Sequence, residues 1–163
     1  MDQKKLRPAT VGGGEGAWRA AQFSPKITKK PVEVIDDFKE ICLGDWEGLT
    51  TREVNNRYPG CYEARGKNLD TYRPPGGESF IDLQQRVWPV FSDIAESGSR
   101  LAVIVAHAGV NRVILCRILG INVKKLFIVS QPYACVNIID CNNGTYSLRA
   151  TLVQPSDPFV KNM

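Results

Sequence analysis

The chain has 163 residues, 43% apolar and 23% charged, with a net charge of +4. That is the profile of one globular domain able to bury a core without disulfides or metal. Its basic residues are scattered apart from Lys29-Lys30 and Lys124-Lys125, which excludes a nucleic-acid footprint, while the mild positive balance suits an anionic small molecule.

Cys42, Cys61, Cys116, Cys135 and Cys141 are odd in number and form no C-x-x-C pair, so reduced thiols are expected rather than a disulfide framework or zinc site. No apolar run is long enough to span a membrane, and Met1-Asp2-Gln3-Lys4-Lys5 opens no signal-peptide core. The expectation is a cytoplasmic protein with no membrane partner.

Residues 1–16, with Gly12-Gly13-Gly14, read as a flexible lead-in before a domain over 17–163. Residues 17–30 could begin a helix that Pro25 interrupts, and 32–35 form a short β-branched strand. Thr50 with Glu53 is a capping-box pattern and predicts a helix over 51–58, ending before Pro59. The span 59–77 holds four Gly and three Pro and reads as a long loop. From Glu78 to Glu96 the spacing of Phe80, Leu83, Val87, Val90, Phe91 and Ile94 follows one helical face, with Pro89 inside it. Leu101 to Ala106 is a continuous apolar run, the pattern of a strand buried on both faces. A helix follows from about Val110 to Leu119, stopped by Gly120. Strands over 134–140 and 145–153 are joined at Asn143-Gly144, a strong hairpin signal.

His107 is the one histidine in the chain and falls where the apolar strand gives way to a helix. Ligands of open α/β sheets bind at that edge, and the helix N-terminus offers free amides and positive dipole to an anion. Ala108 and Gly109 are small enough for close backbone approach. Taken alone, His107 is equally readable as a satisfied structural histidine.

Several motifs in order break that tie. Val105-Ala106-His107-Ala108-Gly109-Val110-Asn111-Arg112 resembles the second-histidine motif of the histidine phosphatase (phosphoglycerate mutase-like) superfamily. Glu40 to Gly48, containing Gly44-Asp45-Trp46-Glu47-Gly48, resembles the segment that supplies the family's acid/base glutamate. Pro75-Gly76-Gly77-Glu78-Ser79 resembles its substrate-loop signature, and Arg19-Ala20-Ala21-Gln22 its phosphate-binding arginine. The pattern is most similar in flavour to the α-ribazole phosphatase group, which belongs to cobalamin biosynthesis.

The resemblance implies a three-layer α/β fold with a mostly parallel sheet. It implies phosphomonoester hydrolysis through a phosphohistidine, without metal or other cofactor, on a small phosphorylated metabolite. A homodimer is left open. His107 would be the charge-stabilising histidine, with Ala108 lending a backbone N–H. Arg19 would bind the phosphoryl oxygens, and Glu40 would protonate the leaving alkoxide. Glu40 is otherwise a solvated acid, with Glu47 its rival. Glu78 and Ser79 are substrate-loop candidates, although capping of the long helix is the first reading for both. Arg112 is a supporting group or a surface charge, and Trp46 and Trp88 read as core.

The family also opens with a central strand ending in Arg-His-Gly, and this sequence has no such triplet. Turnover is therefore expected to be impaired or absent. The chain reads as a fragment of a working enzyme or as a degenerate relative that only binds phospho-ligands or serves as a scaffold. Loss of a central strand would leave unpaired neighbours, which favours the fragment, unless residues 3–11 or a partner chain fill the slot. P-loop kinase chemistry is excluded, since G-x4-G-K-[ST] does not occur, and cysteine-based phosphatase chemistry is not expected, since no cysteine lies in a C-x5-R loop.

Overall fold

The computed structural model describes residues 9–12 and 32–153. Three short parallel strands, β1 (Ala9–Gly12), β2 (Val32–Ile35) and β3 (Ile104–Val105), form a sheet in the order β2-β1-β3. β1 pairs with β2 along its whole length, from Ala9 opposite Val32 to Gly12 opposite Ile35. On its other side Thr10 and Val11 lie opposite Ile104 and Val105. The central slot is therefore taken by Ala9–Gly12, from within the stretch read as a lead-in. A middle strand satisfies backbone groups that both neighbours would otherwise leave open.

β3 is shorter than the apolar run that contains it, and the run is not buried on both faces: Leu101 and Val103, just before the strand, are each 41% exposed. Among the described residues β3 has one strand neighbour, so the run lies at a sheet edge, where apolar content alone does not secure burial.

Helix α1 (Thr51–Arg57) starts on the expected capping box. Thr50 Oγ1 accepts from the Glu53 amide at 3.3 Å, and Glu53 Oε2 accepts from the Thr50 amide at 2.8 Å. The span 59–77 is not the long loop its glycines and prolines implied, because it contains helix α2 (Cys61–Lys67). Pro59 and Gly60 stand before that helix and Pro74 to Gly77 after it, leaving its body nearly clear of breakers. Helix α3 (Phe80–Ala95) buries Phe80, Leu83, Val87, Phe91 and Ile94, while Pro89 faces solvent.

Helix α4 (Ala108–Ile118) packs on α3 through Val110, Val113 and Cys116, and Gln84 Nε2 donates to the Val113 carbonyl at 2.8 Å. Phe38 and Leu126 complete this core. The hairpin forms as expected from β4 (Val136–Asn142) and β5 (Thr145–Val153), paired antiparallel. Its turn has φ of 50° at Asn143 and 74° at Gly144, the two positive values that this turn type requires. The helix expected to begin over 17–30 and the chain after residue 153 lie outside the described residues.

Candidate active site

His107 is the N-cap residue of α4, in extended backbone with φ −91° and ψ 165°, and its side chain makes no capping hydrogen bond. The first bond of the helix runs from the Asn111 amide to the His107 carbonyl at 3.0 Å. The Ala108, Gly109 and Val110 amides thus have no acceptor within the helix, and the positive end of its dipole lies there. An anion does occupy this end. Gly109 N–H donates to Glu40 Oε2 at 3.2 Å, across 69 positions of sequence. A Cβ on Gly109 would stand 2.2 Å from Glu40 Oε1, so the carboxylate sits where only glycine leaves room for it. The structure brings His107, Ala108 and Glu40 to one helix end.

Glu40 is held there by a pair of glycine loops stacked backbone on backbone. The Asp45 amide donates to the Pro75 carbonyl at 2.9 Å and the Glu78 amide to the Cys42 carbonyl at 2.8 Å. Gly44 has φ of +56°, and a Cβ there would fall 2.1 Å from the Pro75 oxygen. The two glycine motifs are therefore two sides of one contact. Glu47, the rival acid, folds back over its own loop, where Oε1 accepts from the Leu43 amide at 2.6 Å. Glu40 is the one of the two that reaches α4.

The residues read as a substrate loop are engaged in holding structure. Ser79, 1% exposed, caps α3: its Oγ accepts from the Asp82 amide at 3.2 Å, and Asp82 Oδ2 accepts from the Ser79 amide at 2.9 Å. Arg73 grips the same carboxylate through Nε and Nη2 at 2.5 and 2.6 Å and, with the Ser79 bonds, holds it far below the ordinary aspartate range. Glu78 receives a two-pronged bond from Arg86, both arms 2.8 Å, and a third from the Cys42 amide at 3.0 Å. Burial works to raise the Glu78 carboxyl, but the Arg86 and Cys42 bonds outweigh it and keep it below its usual value. Nothing in the sequence singled out Arg86, because its partners meet only once the loops have docked.

Arg19 lies outside the described residues. Arg112 donates to the Val129 carbonyl at 3.0 Å and stands over the Phe127 ring. Trp46 is buried among Tyr58, Tyr62 and Tyr72, as a core tryptophan would be, and Trp88 is half-buried under the Arg117 guanidinium. A hydrogen bond with Cys61, reinforced by burial, pushes the Tyr72 hydroxyl up to about 12. Among the described residues no three His, Cys, Asp or Glu side chains are grouped to hold a metal ion.

Residues 17–153 match the histidine phosphatase superfamily (branch 1). The α-ribazole phosphatase of Shigella flexneri superposes with a TM-score of 0.81 at 23% identity, covering 94% of this chain and 76% of that one. A mycobacterial glucosyl-3-phosphoglycerate phosphatase, solved with inorganic phosphate, superposes at 0.76 with 22% identity over 93% of this chain and 79% of that one. Both carry the α/β phosphoglycerate mutase-like fold that the motifs implied. In sequence, 6-phosphofructo-2-kinase 1 of Saccharomyces cerevisiae is 28% identical over 112 residues, 68% of this chain but 13% of that protein's length.

Proposed function

The chain belongs to the histidine phosphatase superfamily, and from that premise we propose that it binds phosphomonoester anions at the N-terminus of α4 but turns them over poorly or not at all. The observation that carries this reading is the Glu40 carboxylate seated on the Gly109 amide beside His107. A carboxylate already bonded to the Gly109 amide supports the reading that this helix end accepts negative charge, two residues from the histidine that the family motif singles out.

In this reading His107 and the Ala108 amide steady the phosphoryl oxygens. Arg19 would also bind the phosphoryl oxygens, and Glu40 would protonate a leaving alkoxide. What is missing is the group that would take the phosphoryl. His107 is the one histidine in the chain, and the strand that fills the central slot reads Ala9-Thr10-Val11-Gly12. Without a nucleophile the covalent route, which splits hydrolysis into two easier steps, has no first step. A small phosphorylated metabolite of the α-ribazole phosphate class fits best, by similarity to the Shigella flexneri enzyme. The alternatives are a phospho-ligand-binding or scaffold module without catalysis and a fragment of a phosphoglycerate mutase-like enzyme. No helix among the described residues is long and apolar enough to cross a membrane.

A p-nitrophenyl phosphate assay run beside thermal unfolding with and without vanadate tests this. The expected result is no turnover, together with a rise in Tm on adding vanadate that His107→Ala abolishes. Turnover that His107→Ala abolishes would overturn the missing-nucleophile claim. Absence of both turnover and any Tm shift would overturn the anion site itself.

A further inference from the structure

We propose that Arg86 is a positioning residue for Glu40. The inference rests on the reading of Glu40 as the acid of the anion site. Arg86 projects from α3 and makes two sets of bonds at once. Nε and Nη2 grip the Glu78 carboxylate, each at 2.8 Å. Nη1 donates to the Asp37 carbonyl at 2.6 Å and to the Lys39 carbonyl at 3.3 Å. Those carbonyls lie three residues and one residue before Glu40. On its other side, the Cys42 amide donates to Glu78 Oε2 at 3.0 Å, and the Cys42 carbonyl accepts from the Glu78 amide at 2.8 Å. One guanidinium, directly and through Glu78, therefore fixes the backbone on both flanks of Glu40.

The geometry needs such a fixture. Residues 40–42 lie between two short 3-10 turns, Asp36–Phe38 and Gly44–Trp46, and share in the bonds of neither, so no helix or ladder bond holds them. A flexible glutamate reaching an amide 69 positions away keeps its place only if its own backbone is held. Lysine could supply the charge but not the fork, because the ammonium is a point donor and the guanidinium is planar with several fixed N–H groups. The Arg86 and Glu78 side chains are 16% and 22% exposed, so the pair is shielded from screening to a degree that surface pairs are not.

The test is a coupling measurement on the full chain. The Gly109 amide reports Glu40 directly through its NMR proton shift and its hydrogen-exchange rate. Glu40→Ala should move the proton upfield and speed exchange about tenfold, the loss of one charge-assisted bond. Arg86→Lys should move the resonance in the same direction, and Glu78→Gln less far. In the Glu40→Ala background, Arg86→Lys should add nothing at Gly109. That non-additivity is a signature that loss of general stability does not produce. Arg86→Lys is chosen over Arg86→Ala because it keeps a charge opposite Glu78 and so favours a folded protein. An unchanged Gly109 resonance in folded Arg86→Lys overturns the proposal, as does an equal shift with and without Glu40. Failure of the anion site is told apart by the unmutated chain: no response to vanadate there removes the role assigned to Glu40 and the proposal with it, while the Arg86 coupling stays measurable.

Discussion

The N-termini of α3 and α4 solve the same problem in opposite ways. Both helices open with amides that lack internal acceptors. At α3 the solution is local: Ser79 and Asp82 exchange capping bonds, and Arg73 locks the acid in place. At α4 the N-cap is His107, which does not cap with its side chain, and the Gly109 amide takes a carboxylate from a distant loop. A helix start closed by its own neighbours is structure. One filled by a remote group, beside the chain's one histidine, is where we propose that an anionic ligand binds.

The comparison breaks most forcefully at Gly44, which supports the distant carboxylate and not the local cap. Gly44→Ala combines a positive φ with a Cβ 2.1 Å from a backbone oxygen. It should lower stability by about 3 kcal/mol in a denaturant titration, since neither the strain nor the overlap can relax cheaply. A loss below about 0.5 kcal/mol would mean that the two glycine loops do not depend on each other.

Ser79→Ala tests the other side. It should cost about 1 kcal/mol, the ordinary worth of a capping residue. The Gly109 amide and the response to vanadate should stay unchanged. A vanadate response lost in a folded Ser79→Ala protein would restore Ser79 to the ligand.

Acid separates the two regions more finely. Asp82 and Glu78 are both held below their unfolded values of 3.8 and 4.5. Their contribution is therefore complete above those values and is lost as pH falls through the lowered ones. Stability should decline on acidification below about pH 4.5, and both Asp82→Asn and Glu78→Gln should flatten that decline. The larger shift at Asp82 makes its variant the flatter. An acid limb unchanged in both would contradict the bonds described for these carboxylates.

Much of this was legible before the structure, and the reasons differ by residue. The α1 capping box, the apolar face of α3 and the Asn143-Gly144 turn are short-range patterns, complete within a few residues of sequence. The meeting of Glu40 with the helix after His107 was implied by the family resemblance, not by local spacing. α2 is hard to see in the sequence because the prolines and most of the glycines of 59–77 flank it, giving the whole span the composition of a loop. The exposure of Leu101 and Val103 depends on what lies beside β3, which an apolar run does not state. Arg86 and the caging of Gly109 by Glu40 exist only through tertiary docking, so local spacing carried no sign of either.

The most direct measurement of the anion site is a vanadate titration followed by NMR on the unmutated chain, where the His107 imidazole gives the single histidine signal. The account predicts saturable movement of that signal together with the Ala108 and Gly109 amides, with no parallel movement at the α3 cap around Ser79 and Asp82. Saturable binding that leaves the His107, Ala108 and Gly109 resonances in place would contradict it.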